Sequence, residues 1–109
     1  MPSTKLSKRY ASRVRILKAL AHPTRLCLVE ELAAGERCVC ELTDRIGDDI
    51  STVSKHLALL REAGVLASER RGQQIFYRLR VPCVLDIFGC VEDVLTREGE
   101  GVSSCKVAS

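Results

Sequence analysis

A chain of 109 residues, 46% hydrophobic and 28% charged, is sized and composed for one globular domain with a modest core. No apolar run approaches the roughly 18 residues of a membrane span, and MPSTKLSKRYASRVR lacks the apolar stretch of a secretory signal, so a cytoplasmic location is expected. The net charge of +3 is unevenly spread: residues 1–25 hold seven basic side chains and no acid, whereas residues 81–109 hold five acids against two bases, a pattern that suggests a polyanion partner for part of the surface.

The first segment, KLSKRYASRVRILKALA, has apolar residues at Val14, Leu17 and Ala21 and at Ile16 and Leu20, the spacing of a helix. HPTRLCLVEELAAG predicts a second helix with Pro23 in its first turn, Leu28, Val29 and Leu32 on its apolar face and Gly35 as its stop. CVCELTDRIG reads as a short helix stopped by Gly47. After the polar break comes STVSKHLALLREAG, a strong helix with Val53, Leu57 and Leu60 on one face and Gly64 at its end. The period then switches. VLASERRGQQIFYRLR predicts two strands about a turn at Arg71–Gly72, and Pro82 opens a last helix with the apolar stripe Val84, Phe88, Val91 and Leu95.

This order is that of a winged helix-turn-helix, mainly α with a small β-hairpin, working as a homodimer because one module makes too few DNA contacts for tight binding. The expected organisation is a DNA-binding and dimerisation domain over residues 1–97 and a flexible cysteine-containing tail over 98–109. The last helix is the natural dimer seam, although a core helix of a monomer would show the same pattern.

With Val53 as reference and about 100° per residue, Leu57 and Leu60 lie within roughly 40° of it. Ser51, Lys55 and Ala58 fall on the opposite side, Ser54 on one flank, and Thr52 and His56 on the other. Short hydroxyls and one long cation suit phosphates and base edges, so Ser51, Thr52, Ser54, Lys55 and His56 are candidate DNA contacts. A solvated face and, for His56, a structural hydrogen-bonded role are the alternatives. At the wing tip, Arg70, Arg71 and Gln73 are placed to reach a neighbouring groove or backbone.

In a reducing compartment six cysteines point to metal binding or thiol redox chemistry rather than to structural disulfides. Cys38 and Cys40 lead the first helix of the helix-turn-helix. On an ideal helix they are roughly 200° apart, so they can grip one ion only if that turn is not helical or unwinds. The alternative is that both are small buried hydrophobes.

ALAHPTRLCLVEEL, GERCVCELTDRIG and STVSKHLALLREAGVL together resemble the ArsR/SmtB family of metal-responsive repressors over roughly residues 12–80. The likeness is to its arsenic-sensing branch, whose hallmark is C-V-C followed by an acidic residue and Leu. The resemblance implies a winged-helix homodimer that represses its own operon and leaves DNA when As(III) or Sb(III) binds Cys38 and Cys40. In that branch a third cysteine lies three residues after the second; this chain has Thr43 there. Trivalent arsenic takes three thiolates, so a third donor is sought elsewhere: Cys90, with Cys105 as rival. Cys83, Cys90 and Cys105 could instead build a separate site, with Cys83 and Cys90 two turns apart along the last helix; Cys27 reads as incidental.

Thiol-only donors exclude hard cations, and zinc wants four nitrogen or sulfur ligands, leaving As(III) or Sb(III) favoured and cadmium, lead and copper(I) open. No organic cofactor is expected. The competing reading on the same fold is a repressor responsive to peroxide or persulfide. An enzyme is not expected: there is no C-x-x-C on a βαβ pattern, no phosphate-binding glycine loop and no nucleophile–base spacing.

Overall fold

The computed structural model describes residues 4–100. The first helix, α1 (Thr4–Leu20), is followed by α2 (Pro23–Glu31), which a 3-10 turn over Leu32–Ala34 extends. Pro23 stands at the start of α2, where its missing N–H leaves nothing unpaired, and His22 caps it: the Thr24 N–H donates to His22 Nδ1 at 3.1 Å. A two-residue strand, β1 (Arg37–Cys38), then runs directly into α3 (Val39–Ile46). Gly47, at φ 88°, ends α3 with its N–H on the Thr43 carbonyl, and residues 47–49 turn the chain into α4 (Ile50–Glu62).

The hairpin is β2 (Leu66–Arg71) and β3 (Gln74–Leu79), with its turn at residues 72–73. The sheet order is β1-β3-β2, all antiparallel, so the wing is a three-stranded sheet rather than the isolated hairpin expected. The final helix is α5 (Val84–Glu100).

Leu28 and Val29 of α2, Leu42 of α3, Val53, Leu57 and Leu60 of α4 and Leu66 of β2 are sealed from solvent and form the centre of the core, with Tyr77 of β3 and Val84 of α5 at its margin. The α2, α4 and α5 members are on the faces that the 3.6-residue spacing marked out, whereas Val14, Ile16 and Leu17 of the expected α1 face are exposed. Burying such side chains contributes roughly 1.5–3 kcal/mol each. The Arg15 guanidinium fastens α1 to the end of α4 by donating to the Glu62 carbonyl at 2.6 Å.

The last helix departs from expectation. It begins at Val84, not Pro82, because Val84, Leu85 and Asp86 donate to carbonyls three residues back, a tighter turn than an α-helix. Cys83 therefore lies before the helix, and the two-turn alignment of Cys83 with Cys90 along one helix does not form. Beyond Val84, with Leu85 and Phe88 packed against the core, the expected stripe runs out onto the surface at Val91 and Leu95, which with the neighbouring Val94 are 50–55% exposed. Among the described residues no helix is long and apolar enough to cross a membrane. Cys105 and the rest of the tail from residue 101 lie outside the described residues.

Candidate functional site

Cys38 is the last residue of β1 and the N-cap of α3, with extended backbone at φ −83° and ψ 162°. The geometric objection to the thiol pair thereby disappears: the roughly 200° separation applies to consecutive helical residues, and Cys38 is not one. Its Sγ lies 2.9 Å from that of Cys40. Cys38 is 6% exposed while Cys40 faces solvent, so one thiol is anchored and the other reachable.

The local sequence explains the placement. Glu41, three residues after Cys38, accepts a hydrogen bond from the Cys38 backbone N–H at 3.1 Å, and the Cys38 sulfur takes the place of the usual serine or threonine hydroxyl in a capping box. Strand pairing fixes the other side, with Arg37 opposite Tyr77 and Cys38 opposite Phe76. The neighbouring Cys38 sulfur, then partial burial, push the Cys40 thiol above its ordinary value, while backbone N–H groups at the helix start pull the other way.

Thr43 donates its hydroxyl to the Val39 carbonyl at 2.8 Å. Among the described residues no cluster of three or more His, Cys, Asp or Glu side chains could hold a metal ion, so within one chain Cys90 does not join the pair. Cys90, Cys83 and Cys27 are all exposed. Burial, then Glu31 and Glu30, raise the Cys27 thiol.

On α4, Ser51 and Lys55 are exposed and Thr52, Ser54, His56 and Ala58 half-buried. Asp49, which spacing analysis passed over, organises the start of this face: its carboxylate accepts from Ser51 Oγ at 2.7 Å and Thr52 Oγ1 at 2.6 Å. Those two bonds, Thr52 first, bring the Asp49 carboxyl down to about 2. A D-x-S-T run at a helix start carries this signal. His56 packs against His22, ring centroids 4.6 Å apart, and burial, then His22 and Arg25, hold its pKa below the ordinary value against a smaller upward pull from Asp48. His56 thus makes a ring contact on the flank of α4 rather than the hydrogen bond weighed for it, and its place as a DNA contact stays an expectation.

At the wing tip Arg70 and Gln73 are exposed, with the Arg70 Nε–H on the Gly72 carbonyl at 3.2 Å. Arg71 is engaged on three sides: it donates to Glu36 and Glu69 at 2.8 Å each and lies 4.6 Å over the Phe76 ring. The carboxylates raise its pKa, and Arg71 lowers that of Glu69. Glu36, two residues before Cys38, had no local signal, since the pair is formed across 35 positions.

Recognition helix, wing and thiol pair thus meet around the start of α3. Against known proteins, a profile described as "Bacterial regulatory protein, arsR family" matches residues 22–68. The chain is similar to the biofilm growth-associated repressor of Xylella fastidiosa strain Temecula1, 45% identical over 74 residues that span 68% of this chain and 65% of that protein. It is likewise similar to the arsenic resistance transcriptional regulator ArsR1 of Pseudomonas putida, 46% identical over 65 residues, 59% of this chain and 51% of that one. The chain therefore spans less than two thirds of the length of these curated relatives. Among solved structures, the homodimeric winged helix-turn-helix DNA-binding domain of Mb0332 from Mycobacterium bovis superposes with a TM-score of 0.75 at 28% identity, covering 94% of this chain and 95% of that one. Fold, motifs and relatives agree: the chain belongs to the ArsR family of bacterial regulatory proteins.

Proposed function

We propose that the chain is a homodimeric transcriptional repressor that holds operator DNA through α4 and the wing and releases it when As(III) or Sb(III) is bound by Cys38 and Cys40. The observation that carries this reading is the 2.9 Å approach of the two sulfurs at the cap of the first helix of the helix-turn-helix. Soft thiolate donors suit a thiophilic metalloid and not a hard cation. The pair supplies two donors, and Cys105, or Cys90 of a second copy, is the candidate third.

Binding draws the Cys38 sulfur away from the Glu41 N–H it caps and strains the extended backbone that β1 and β3 share. Either change shifts α3, and with it α4 across the Gly47 turn. DNA and ligand then oppose one another through a coupling free energy that acts equally on both affinities. The name of the Pseudomonas relative supports arsenic as the signal.

The same closeness favours one second reading. A peroxide or polysulfide oxidant could take two electrons and two protons from the pair and join the sulfurs, with no third donor needed. The raised Cys40 thiol does not separate the two readings, because the thiolate is both the nucleophile in such chemistry and the ligand of a soft ion.

Intact-mass measurement on the reduced protein distinguishes the two. Arsenite is expected to leave an arsenic adduct on the wild type and none on Cys38→Ser/Cys40→Ser. A loss of two hydrogens under peroxide, with no adduct under arsenite, would move the assignment to the redox reading.

A further inference from the structure

Beside Cys40 the start of the recognition helix and the wing enclose an open cleft of about 210 Å³, lined by Val39, Cys40, Ile50, Ser54, Gln73, Gln74 and Ile75. Three of these seven side chains are aliphatic, and a Cys40 thiol on the wall has the Cys38 thiol 2.9 Å away. Inorganic arsenic(III) wants three thiolates, whereas among the described residues the pair stands without a third donor. The site offers two thiols and an apolar recess next to them.

We propose that the ligand matched to this site is a trivalent arsenical carrying one organic substituent, bound through Cys38 and Cys40 with the substituent lodged in the cleft. The inference rests on the reading of these cysteines as the inducer-binding pair and names the class of inducer. The arsenic–carbon bond fills the third coordination position, so two thiols complete the sphere. For a compound R–As(OH)₂, two As–O bonds break and two As–S bonds form. Each hydroxyl leaves as water with a thiol proton, and arsenic stays trivalent.

An apolar cavity of roughly 150 Å³ is enough to take benzene, so a phenyl group is within the cleft's capacity. Position adds a consequence. Ser54 belongs to the outward face of α4 and Gln73 to the wing tip, so a group in the cleft lies between the two elements placed to hold DNA. A substituent there would wedge them apart directly, in addition to any strain on the cap of α3.

The test compares arsenite with phenylarsine oxide on the reduced protein, reading adduct formation by intact mass and protection of Cys38 and Cys40 from alkylation. An Ile75→Trp variant, which fills the cleft from the wing side, is run in parallel with far-UV circular dichroism as a folding check. Half-protection is expected at a concentration of phenylarsine oxide at least about tenfold below that of arsenite, or ~1.4 kcal/mol. In Ile75→Trp that advantage should collapse to about parity while arsenite binding shifts by less than about twofold. Equal affinity of the two arsenicals, or an advantage untouched by Ile75→Trp, overturns the cleft proposal while leaving the metalloid reading standing. Absence of an adduct from either compound removes both.

Discussion

Cys38 sits opposite Phe76 in the β1–β3 pairing, so the buried thiol of the pair is a residue of the wing sheet as well as the cap of α3. Arg71, 4.6 Å over the Phe76 ring, reaches back to Glu36 on the strand side of the same loop. A change at the thiols thus has two mechanical outlets, through α3 to the recognition helix and through β1 to the wing.

The Arg71–Glu36 contact makes a prediction about DNA affinity. Glu36 and Glu69 hold the guanidinium in solvent-exposed, screened pairs, and a phosphate contact proposed for Arg71 would have to compete with them. Glu36→Gln should tighten operator binding severalfold at low salt and less at high salt. Arg70→Ala should weaken binding to all sequences and lower the salt dependence by about one unit of the log–log slope. Anisotropy titrations across a salt series measure both.

The His22–His56 contact makes stability depend on pH. His56 is held below its ordinary value of 6.5 by burial and by the facing His22 and Arg25, with Asp48 opposing. The unfolded chain therefore binds more protons, so the contribution is fully present above about pH 6.5 and is lost as pH falls through the lower folded value. Thermal unfolding from pH 8 to 5.5 should show a falling midpoint in the wild type and a flatter profile in His56→Gln.

The apolar residues left on α5 bear on assembly. Val91, Val94 and Leu95 are each at least half exposed, and a separate groove of about 940 Å³ between α1 and the end of α4 includes Val14 and Leu59. A second copy covering this surface accounts for it, in keeping with the homodimeric Mycobacterium bovis domain. Val91→Glu/Leu95→Glu should sediment as a folded monomer and lose roughly 10²–10⁴ in operator affinity, the range set by linking two half-site contacts. A dimer of unchanged stability would place the interface elsewhere.

Thr43 offers a gain-of-donor experiment. Its hydroxyl bonds to a carbonyl four residues back, a contact that adds little to a helix, so Thr43→Cys should change stability by less than about 1 kcal/mol. It also supplies the thiol found at this position in the arsenic-sensing branch. Arsenite affinity should rise about tenfold or more, as an added intramolecular donor raises effective concentration. Isothermal titration at fixed pH reads the change.

Much of the fold was legible because it rests on local periodicity. Val53, Leu57 and Leu60 are fully buried where a helical face required them, and Gly47 and Gly64, marked as helix stops, both have positive φ. The non-local pairings were not legible. A two-residue strand has no alternation to read, and β1 exists because β3, nearly forty positions on, supplies its partner. That strand decides the state of Cys38, so the thiol geometry was left open by spacing alone. The capping signal Cys38-x-x-Glu41 was present, but cysteine is not among the usual N-cap residues. Glu36 and His22 were missed for similar reasons: each acts through a partner whose position only the folded chain defines. Asp49 differs, since its partners Ser51 and Thr52 are two and three residues on and the signal was local.

On the proposed function, chemistry at Cys38 and Cys40 is read out as release of DNA. Its most direct measurement is fluorescence anisotropy of the reduced protein on labelled DNA from its own promoter, with arsenite titrated into the wild type and into Cys38→Ser/Cys40→Ser. Both proteins should bind the DNA, and arsenite should strip only the wild type. Release of both proteins by arsenite, or retention of the wild type at saturating arsenic adduct, would contradict it.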